Sequence, residues 1–204
     1  MGRRVSAVLL VAFLSVPVRV QGQKMQARLG IGASAVFPTG EFHSGPNGEG
    51  FKVGWQGMAL LDLGVPGRPS GFRLEGLYGE NAGNDQLIQD VTGLVGPGLA
   101  AKMRMYGGDA DLMLKNLPKA AGKPTTYLLG GVGLRRLSLI ATQGGLTADT
   151  SATKFSWNVG GGVYLGGKAS MFFLEARYVH VASFADLSTN HFPVTAGIRF
   201  GLSR

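Results

Sequence analysis

Apolar and polar side chains alternate position by position in the last segment of the chain. The uncharged positions are Phe192, Val194, Ala196, Ile198, Phe200 and Leu202, and they alternate with more polar positions such as Thr195 and Arg199. Successive side chains of a strand point to opposite faces, so this pattern predicts a strand with one apolar and one polar face. The same alternation runs through residues 25–37.

Eight segments of this kind follow one another. We predict strands at residues 25–37, 51–63, 71–80, 103–114, 125–139, 153–165, 170–181 and 192–202. The facing of the fifth strand stays open, because both of its sides are apolar or glycine. The connections are predicted to alternate between long loops (38–50, 81–100, 140–152 and 182–191) and short turns (65–70, 116–124 and 166–169). Residues 85–94 are the one segment that could form a turn of helix.

An even number of strands with alternating long and short connections predicts an all-β, eight-stranded antiparallel up-and-down transmembrane β-barrel. Each predicted strand is long enough to cross a bilayer, which takes about 9–11 tilted residues. The long loops are then expected outside the cell and the short turns in the periplasm. Aromatic residues near the long loops fit the girdle of such a barrel, namely Trp55, Tyr78, Phe155, Trp157 and Phe192.

The N-terminus has the features of an export signal. Arg3 and Arg4 precede an apolar stretch over residues 5–16, which Pro17 ends, and cleavage is expected near Gly22. Residues 1–22 are therefore predicted to be a cleaved signal peptide and residues 23–204 the barrel domain. No other stretch is apolar over the 18 or so residues that a spanning helix needs.

Composition agrees with this architecture. Glycine supplies 34 of 204 residues, and charged residues make up only 16% of the chain. A soluble domain would carry more charge on its surface. With no cysteine, the chain cannot form disulfides, use thiol catalysis or bind metal through thiolates.

The net charge is +8, or about +5 without the signal peptide. Basic residues are scattered singly rather than clustered among aromatic residues, which argues against nucleic-acid binding. Attraction to anionic outer-membrane lipid explains this positive charge better.

Charged side chains on the polar faces are predicted to point into the barrel. The predicted lumen network consists of Arg73, Glu75, Asp109, Asp111, Glu175, Arg177 and Arg199, and Arg28 and Lys52 are expected to point the same way. A barrel of this size is filled by its own side chains, so opposite charges must pair. We expect Arg73 and Glu75, with Glu175 and Arg177, to be paired in a network that forms a structural plug, rather than an ion path or a catalytic carboxylate pair. Lys102 and Arg104 fall on the apolar face and are expected at the membrane interface.

Several stretches resemble the small outer-membrane barrel family that includes opacity proteins and the OmpA-like and OmpX-like barrels. These stretches are residues 130–134, 157–163, 173–178 and 192–200. The chain departs from the family pattern after Phe200, because residues 201–204 follow the terminal aromatic residue. The resemblance implies an outer-membrane location, contact with outer-membrane lipid, a monomeric barrel, and loops that meet lipopolysaccharide or molecules of host and other cells.

Catalytic, cofactor and metal sites are not expected. Lipid A deacylases of similar size use a His-x-Ser pattern, whereas His180 and Ser183 have a different spacing here. His43, His180 and His191 lack metal-ligand spacing and are expected to be solvated residues of the outer rim. The glycine runs lack the Lys-Ser/Thr of a phosphate loop. Two alternatives remain open: an outer-membrane acyl hydrolase acting on lipid A, and a soluble periplasmic barrel that carries a small apolar ligand.

Overall fold

A closed barrel of eight strands forms the protein. The computed structural model describes residues 25–95, 98–117, 123–166, 170–184 and 187–202. Its strands are β1 Gln26–Thr39, β2 Gly54–Gly64, β3 Ser70–Ala82, β4 Ala100–Lys115, β5 Thr125–Gln143, β6 Leu146–Gly166, β7 Ser170–Phe184 and β8 Leu187–Gly201. Each strand pairs antiparallel with the next, and β8 pairs with β1 from Arg28↔Gly201 to Thr39↔Asn190. The predicted eight-stranded up-and-down barrel is confirmed.

Side chains alternate between the lumen and the outer surface of the wall. In β3, Arg73 and Glu75 are buried, whereas Phe72 and Leu74 are 62% and 42% exposed. The open question of β5 is settled, because Tyr127 and Leu129 are buried and Leu128 is exposed. The outward positions in the middle of the wall are apolar, as lipid contact requires.

Aromatic side chains form two outward bands. The band near the long loops includes Trp55, Tyr78, Tyr106, Phe155, Trp157 and Phe192, and the band near the short turns includes Phe72, Phe172 and Phe200. Tyr78 and Phe72 stand six residues apart on one strand. At about 3.3 Å per residue this separation is roughly 20 Å, close to the height of the apolar band of outer-membrane barrels.

Two of the predicted long loops are strand instead. Residues 140–152 were expected to be a loop, but β5 and β6 continue through them to a turn at Gly144 and Gly145. Residues 182–191 were also expected to be a loop, but β7 reaches Phe184 and β8 begins at Leu187, with a register shift between Val181 and Phe184. Beyond the lipid, strands are still held together by backbone hydrogen bonds, and their outward side chains need not be apolar. The predicted alternation of long and short connections is therefore wrong, while the strand order is right.

The other two loops at this end of the barrel carry short helices. Gly40–Phe42 forms a 3-10 turn, and Phe42 inserts into the lumen. Asp85–Val95 forms the helix α1, where a helical turn had been indicated. Asn84 caps α1 by accepting the Leu87 N–H at 2.8 Å, and its amide donates to the Gly48 carbonyl at 2.8 Å. No helix in the described part of the chain is long and apolar enough to span a membrane.

The opposite end of the barrel carries the connections that were predicted to be short, and they are residues 65–69, 116–124 and 167–169. We call this the short-turn end and its opposite the long-loop end. The expected signal peptide, residues 1–22, lies outside the described residues, as do Lys119 and Lys168 within the short turns.

Candidate functional site

Buried charges cross the middle of the lumen and form the main polar feature of the molecule. Five carboxylates and four arginines are buried among the described residues. They are Asp62, Glu75, Asp109, Asp111 and Glu175, with Arg73, Arg135, Arg177 and Arg199. Six of the eight strands contribute to this set, so the network ties opposite walls together.

Arg177 binds carboxylates from three strands. Its Nη2 donates to Glu75 Oε2 at 2.6 Å, its Nη1 to Asp111 Oδ2 at 3.1 Å, and its Nε to Glu175 Oε1 at 2.5 Å. Glu175 lies two residues away on β7, whereas Glu75 stands on β3 across the lumen. A guanidinium presents five donors in a fixed fork, which allows one side chain to hold several carboxylates.

Arg73 forms a second junction closer to the short-turn end. Its Nε donates to Asp62 Oδ1 at 2.7 Å, and its Nη1 donates to Glu175 Oε2 at 2.6 Å. Glu175 thus joins the two junctions, since it also accepts from Arg177. Arg73 therefore binds Asp62 and Glu175, and Glu75 binds Arg177 and not Arg73.

Two tyrosines complete the hydrogen bonding of the carboxylates. The Tyr127 hydroxyl donates to Glu175 Oε2 at 2.7 Å, and the Tyr164 hydroxyl donates to Asp62 Oδ2 at 3.1 Å. Their rings stack with centroids 4.3 Å apart. The Arg199 guanidinium lies over the Tyr164 ring and donates to Asp62 Oδ2 at 2.6 Å. The tyrosines supply the donors that these buried anions need.

Sequence reasoning missed Asp62, Arg135 and the tyrosines as members of the network. Arg135 donates from both terminal nitrogens to Asp109, and Asn158 donates to Asp111 Oδ1 at 2.9 Å. For Arg135 and Tyr127 the missing signal was the facing of β5. Once Tyr127 is known to point inward, a two-residue count along the strand places Arg135 inward as well.

Apolar side chains pack around the charges in the lumen. Towards the long-loop end a cluster contains Val36, Phe42, Phe51, Met103, Met105, Leu137, Val179 and Val181. A second cluster contains Met58, Leu60, Leu77, Met113, Tyr127, Leu129, Tyr164 and Phe173. The charges therefore lie in surroundings of low dielectric, where pairing is required.

Other charged side chains lie away from the lumen. Lys52 was expected to point inward, but it precedes β2, is exposed, and binds Asp85 at 2.7 Å. Lys102 and Arg104 point outward from β4 and each bind Glu80 at 2.9 Å. Glu80 is thus a carboxylate on the outward face of β3.

The three histidines occupy different surroundings. The His180 ring lies 5.5 Å from the Trp157 ring, and its Nδ1 shares a 2.7 Å hydrogen bond with Asn190. His191 was expected to be a solvated rim residue, but it is 1% exposed and packs against Phe42. The 3-10 turn that carries Phe42 covers it. No cluster of metal-binding side chains occurs among the described residues.

Ser183 does not join His180 in a catalytic arrangement. Ser183 lies within the register shift of β7, and the described hydrogen bonds of His180 include Asn190 but not Ser183. A serine nucleophile needs a base within hydrogen-bond reach. The geometry of this pair therefore does not favour the acyl hydrolase alternative.

Comparisons with known proteins identify relatives in structure only. No protein-family model and no curated protein matches the sequence. A major outer membrane protein from Thermus thermophilus has a TM-score of 0.58 at 13% identity, covering 86% of this chain and 99% of that one. Neisserial surface protein A has a TM-score of 0.56 at 14% identity, covering 88% and 99%.

A third similar structure is Ail, the attachment invasion locus protein of Yersinia pestis, in complex with the heparin analogue sucrose octasulfate. Its TM-score is 0.53 at 13% identity, covering 86% of this chain and 97% of that one. Identities this low show a shared fold and not a shared activity. The chain has the fold of the small eight-stranded outer-membrane β-barrels.

Proposed function

We propose that this protein is an outer-membrane barrel with a closed lumen, which acts through its surface rather than as a pore or an enzyme. The wall contacts outer-membrane lipid. The long-loop end faces outward and contacts lipopolysaccharide or molecules on host or other cells. The barrel is a monomer, since its strands leave no unpaired edge.

The charge network of the lumen carries this proposal. Arg73 and Arg177 bind carboxylates on opposite walls, and Glu175 joins them. An ion crossing here would have to break several charge-assisted hydrogen bonds in a site of low dielectric. Each of the five buried carboxylates of the described lumen forms an ion pair with arginine, which argues against a role as a general acid or base.

The outer wall supports the membrane location. Leu128, Leu134, Val159 and Phe172 are among the apolar side chains that are more than half exposed. A soluble barrel would leave this surface in water at a cost of about 25 cal/mol per Å². In lipid the same apolar surface is not exposed to water and does not carry this cost.

The long-loop end presents charges of both signs. Lys52 and Asp85 form an exposed ion pair there, and Glu41 and Arg136 are also exposed. Ail binds a heparin analogue. A purely anionic partner is less well matched to this mixed surface than a partner that itself carries both signs, such as a protein.

Planar-bilayer recording tests the closed lumen. The purified protein should insert and show little or no steady conductance. Replacing Glu75 with Ala should destabilise the barrel, because Arg177 loses its best-oriented partner, whereas Asp149→Ala in the exposed β5–β6 turn region should not. A stable open channel from the unmodified protein would contradict the proposal.

Membrane fractionation tests the location separately. The processed protein should resist carbonate extraction and migrate differently in gels before and after heating. Recovery as a soluble periplasmic protein would contradict an outer-membrane role and favour the barrel that carries an apolar ligand.

A further inference from the structure

The lumen opens at the short-turn end into a cavity of about 440 Å³. The cavity is bounded by the first residues of β1, the β2–β3 turn and the ends of β4, β7 and β8. Its charged lining residues are Arg28, Asp62, Arg68, Lys115 and Arg199. Four of these five side chains are cationic, so the cavity has a net positive charge.

The single carboxylate of the lining is already engaged. Asp62 accepts from Arg73 at 2.7 Å, from Arg199 at 2.6 Å and from the Tyr164 hydroxyl at 3.1 Å. It therefore has little capacity left for Arg28 or Lys115.

Several donors of Arg28, Arg199 and Lys115 remain without an anionic partner, although Arg199 Nη1 binds Asp62. Arg28 Nη1 and Arg199 Nη2 each lie 3.1 Å from the Met171 sulfur, a weak acceptor. Arg199 is only 4% exposed, and its Nε is buried without a hydrogen-bond partner. Among the described residues, no carboxylate forms an ion pair with Arg28 or Lys115. An anion in the cavity would supply the partner that Arg28 and Lys115 lack.

Two glycines make room for the Lys115 ammonium at this mouth. A Cβ added to Gly71 would lie 3.2 Å from Lys115 Nζ, and one added to Gly64 would lie 3.7 Å from it. Gly64 and Gly71 pair with each other across β2 and β3. The wall is therefore recessed where the ammonium sits, beside the cavity.

The sequence of this end strengthens the positive field. The described parts of the connections there, residues 65–69, 116–117 and 123–124, contain Arg68 and Lys123 and no aspartate or glutamate. A concave mouth lined by positive charges raises the local concentration of anions.

We propose that this mouth is a binding site for a phosphate group, with Arg28, Lys115 and Arg199 as its ligands. Guanidinium and ammonium donors from different strands match an oxyanion with three accessible oxygens. Leu63, Val65 and Met171 add apolar surface beside the charges, which suits a phosphate ester with a short organic substituent. The phosphate belongs either to a free ester in the aqueous phase or to a phospholipid headgroup of the adjacent leaflet.

Calorimetric titration and thermal unfolding in neutral maltoside detergent test the site. Inorganic phosphate and glycerol 3-phosphate are added against sodium chloride of equal ionic strength. We expect a saturable increase of the unfolding midpoint with phosphate that chloride does not reproduce. Lys115→Gln should weaken phosphate binding by about tenfold, the effect of one charge-assisted hydrogen bond. Lys52→Gln, at the other end of the barrel, is the matched control and should leave binding unchanged.

A second measurement separates the two sources of phosphate. Native mass spectrometry counts phosphatidylglycerol molecules retained by the protein and by Lys115→Gln. Binding of glycerol 3-phosphate alone identifies a free ester, and Lys115-dependent retention of phosphatidylglycerol alone identifies a headgroup; either result supports the site. If Lys115→Gln does not fold, Arg28→Gln, at another of the proposed ligands, replaces it. The proposal is overturned if phosphate acts only as chloride does and lipid retention is the same in the variants.

Discussion

Each buried arginine of the lumen has its own set of carboxylate partners, and these sets differ in size. Arg177 binds three carboxylates, whereas Arg135 binds chiefly Asp109 through both terminal nitrogens. Removing one partner of a buried pair leaves an uncompensated charge, while removing both is far less costly. Arg135 and Asp109 are the simplest pair in which to measure this difference.

Replacement of Arg135 by Met should lower the free energy of unfolding by about 3–5 kcal/mol, because Asp109 remains charged and buried. The neighbouring Arg136→Met is the matched control, since Arg136 points outward and its loss should cost less than about 1 kcal/mol. Arg135→Met with Asp109→Asn should recover part of the loss. Urea unfolding in lipid vesicles, followed by tryptophan fluorescence, measures all three. Equal losses for Arg135→Met and Arg136→Met would contradict the buried pair.

Glu41 provides a pH-dependent contact outside the membrane. The Ser188 N–H and hydroxyl donate to its Oε2 at 2.8 Å and 2.7 Å, and these bonds hold the pKa of the Glu41 carboxyl below its usual value of 4.5. A lowered pKa means that the contact is complete above about pH 4.5 and is lost as the pH falls through the lower folded value.

The Ser188 amide resonance should therefore shift upon acidification with a midpoint below 4.5. In Glu41→Gln this transition should be absent, while the rest of the spectrum is retained. Two-dimensional NMR in detergent micelles measures the shift. A midpoint above 4.5 in the unmodified protein would contradict the hydrogen bonds from Ser188.

For single residues, the sequence predicts whether a side chain points into the lumen better than it predicts which residue that side chain binds. Alternation indicates that Arg73, Glu75, Glu175 and Arg177 share the polar side of their strands. It does not indicate that Arg73 reaches across to Glu175, because the partner depends on barrel diameter and strand register. Arg135 was missed for a different reason: β5 has apolar residues or glycine on both faces, so alternation there gives no direction.

Strands continue beyond their apolar pattern at the long-loop end. β5 and β6 have 19 and 21 residues, about twice what a bilayer crossing requires. Their outer halves contain polar residues such as Thr142 and Thr147, which pair with each other across the strands. A sequence pattern detects a strand by the contrast between its two faces, and this contrast disappears where both faces meet water. The β-hairpin was therefore predicted as a loop.

The turn of this β-hairpin depends on two glycines. Gly144 and Gly145 have φ values of 54° and 85°, in the left-handed region. Gly145→Val should strain the turn by about 1–2 kcal/mol. Because the turn lies beyond the barrel wall, the loss should be local. Hydrogen exchange should show faster exchange for residues 140–150, with the barrel wall unchanged.

Leu146→Val, at an adjacent and highly exposed position with no such requirement, is the control for this change. Its exchange pattern should match the unmodified protein. If Gly145→Val left the exchange of the outer β-hairpin unaltered, the two-residue turn would be wrong.

The whole molecule has the reverse arrangement of a soluble domain. Charges fill its centre, apolar side chains cover its wall, and aromatic bands mark the edges of that wall. The two ends also differ, since the short turns carry basic residues without acidic ones, whereas Glu41, Glu49 and Asp85 lie at the long-loop end. The barrel therefore has a defined polarity along its axis, and its orientation in a membrane decides which end meets which compartment.

Cysteine labelling of whole cells measures that orientation, and the chain is suited to it because it contains no native cysteine. Asn47→Cys and Thr147→Cys lie at the long-loop end and Pro66→Cys lies in a short turn, all at exposed positions. With the short turns in the periplasm, a membrane-impermeant maleimide should label the first two variants in intact cells. It should label Pro66→Cys only after the outer membrane is permeabilised. Labelling of Pro66→Cys in intact cells, with protection of Thr147→Cys, would show the opposite orientation and would place the phosphate site on the cell surface.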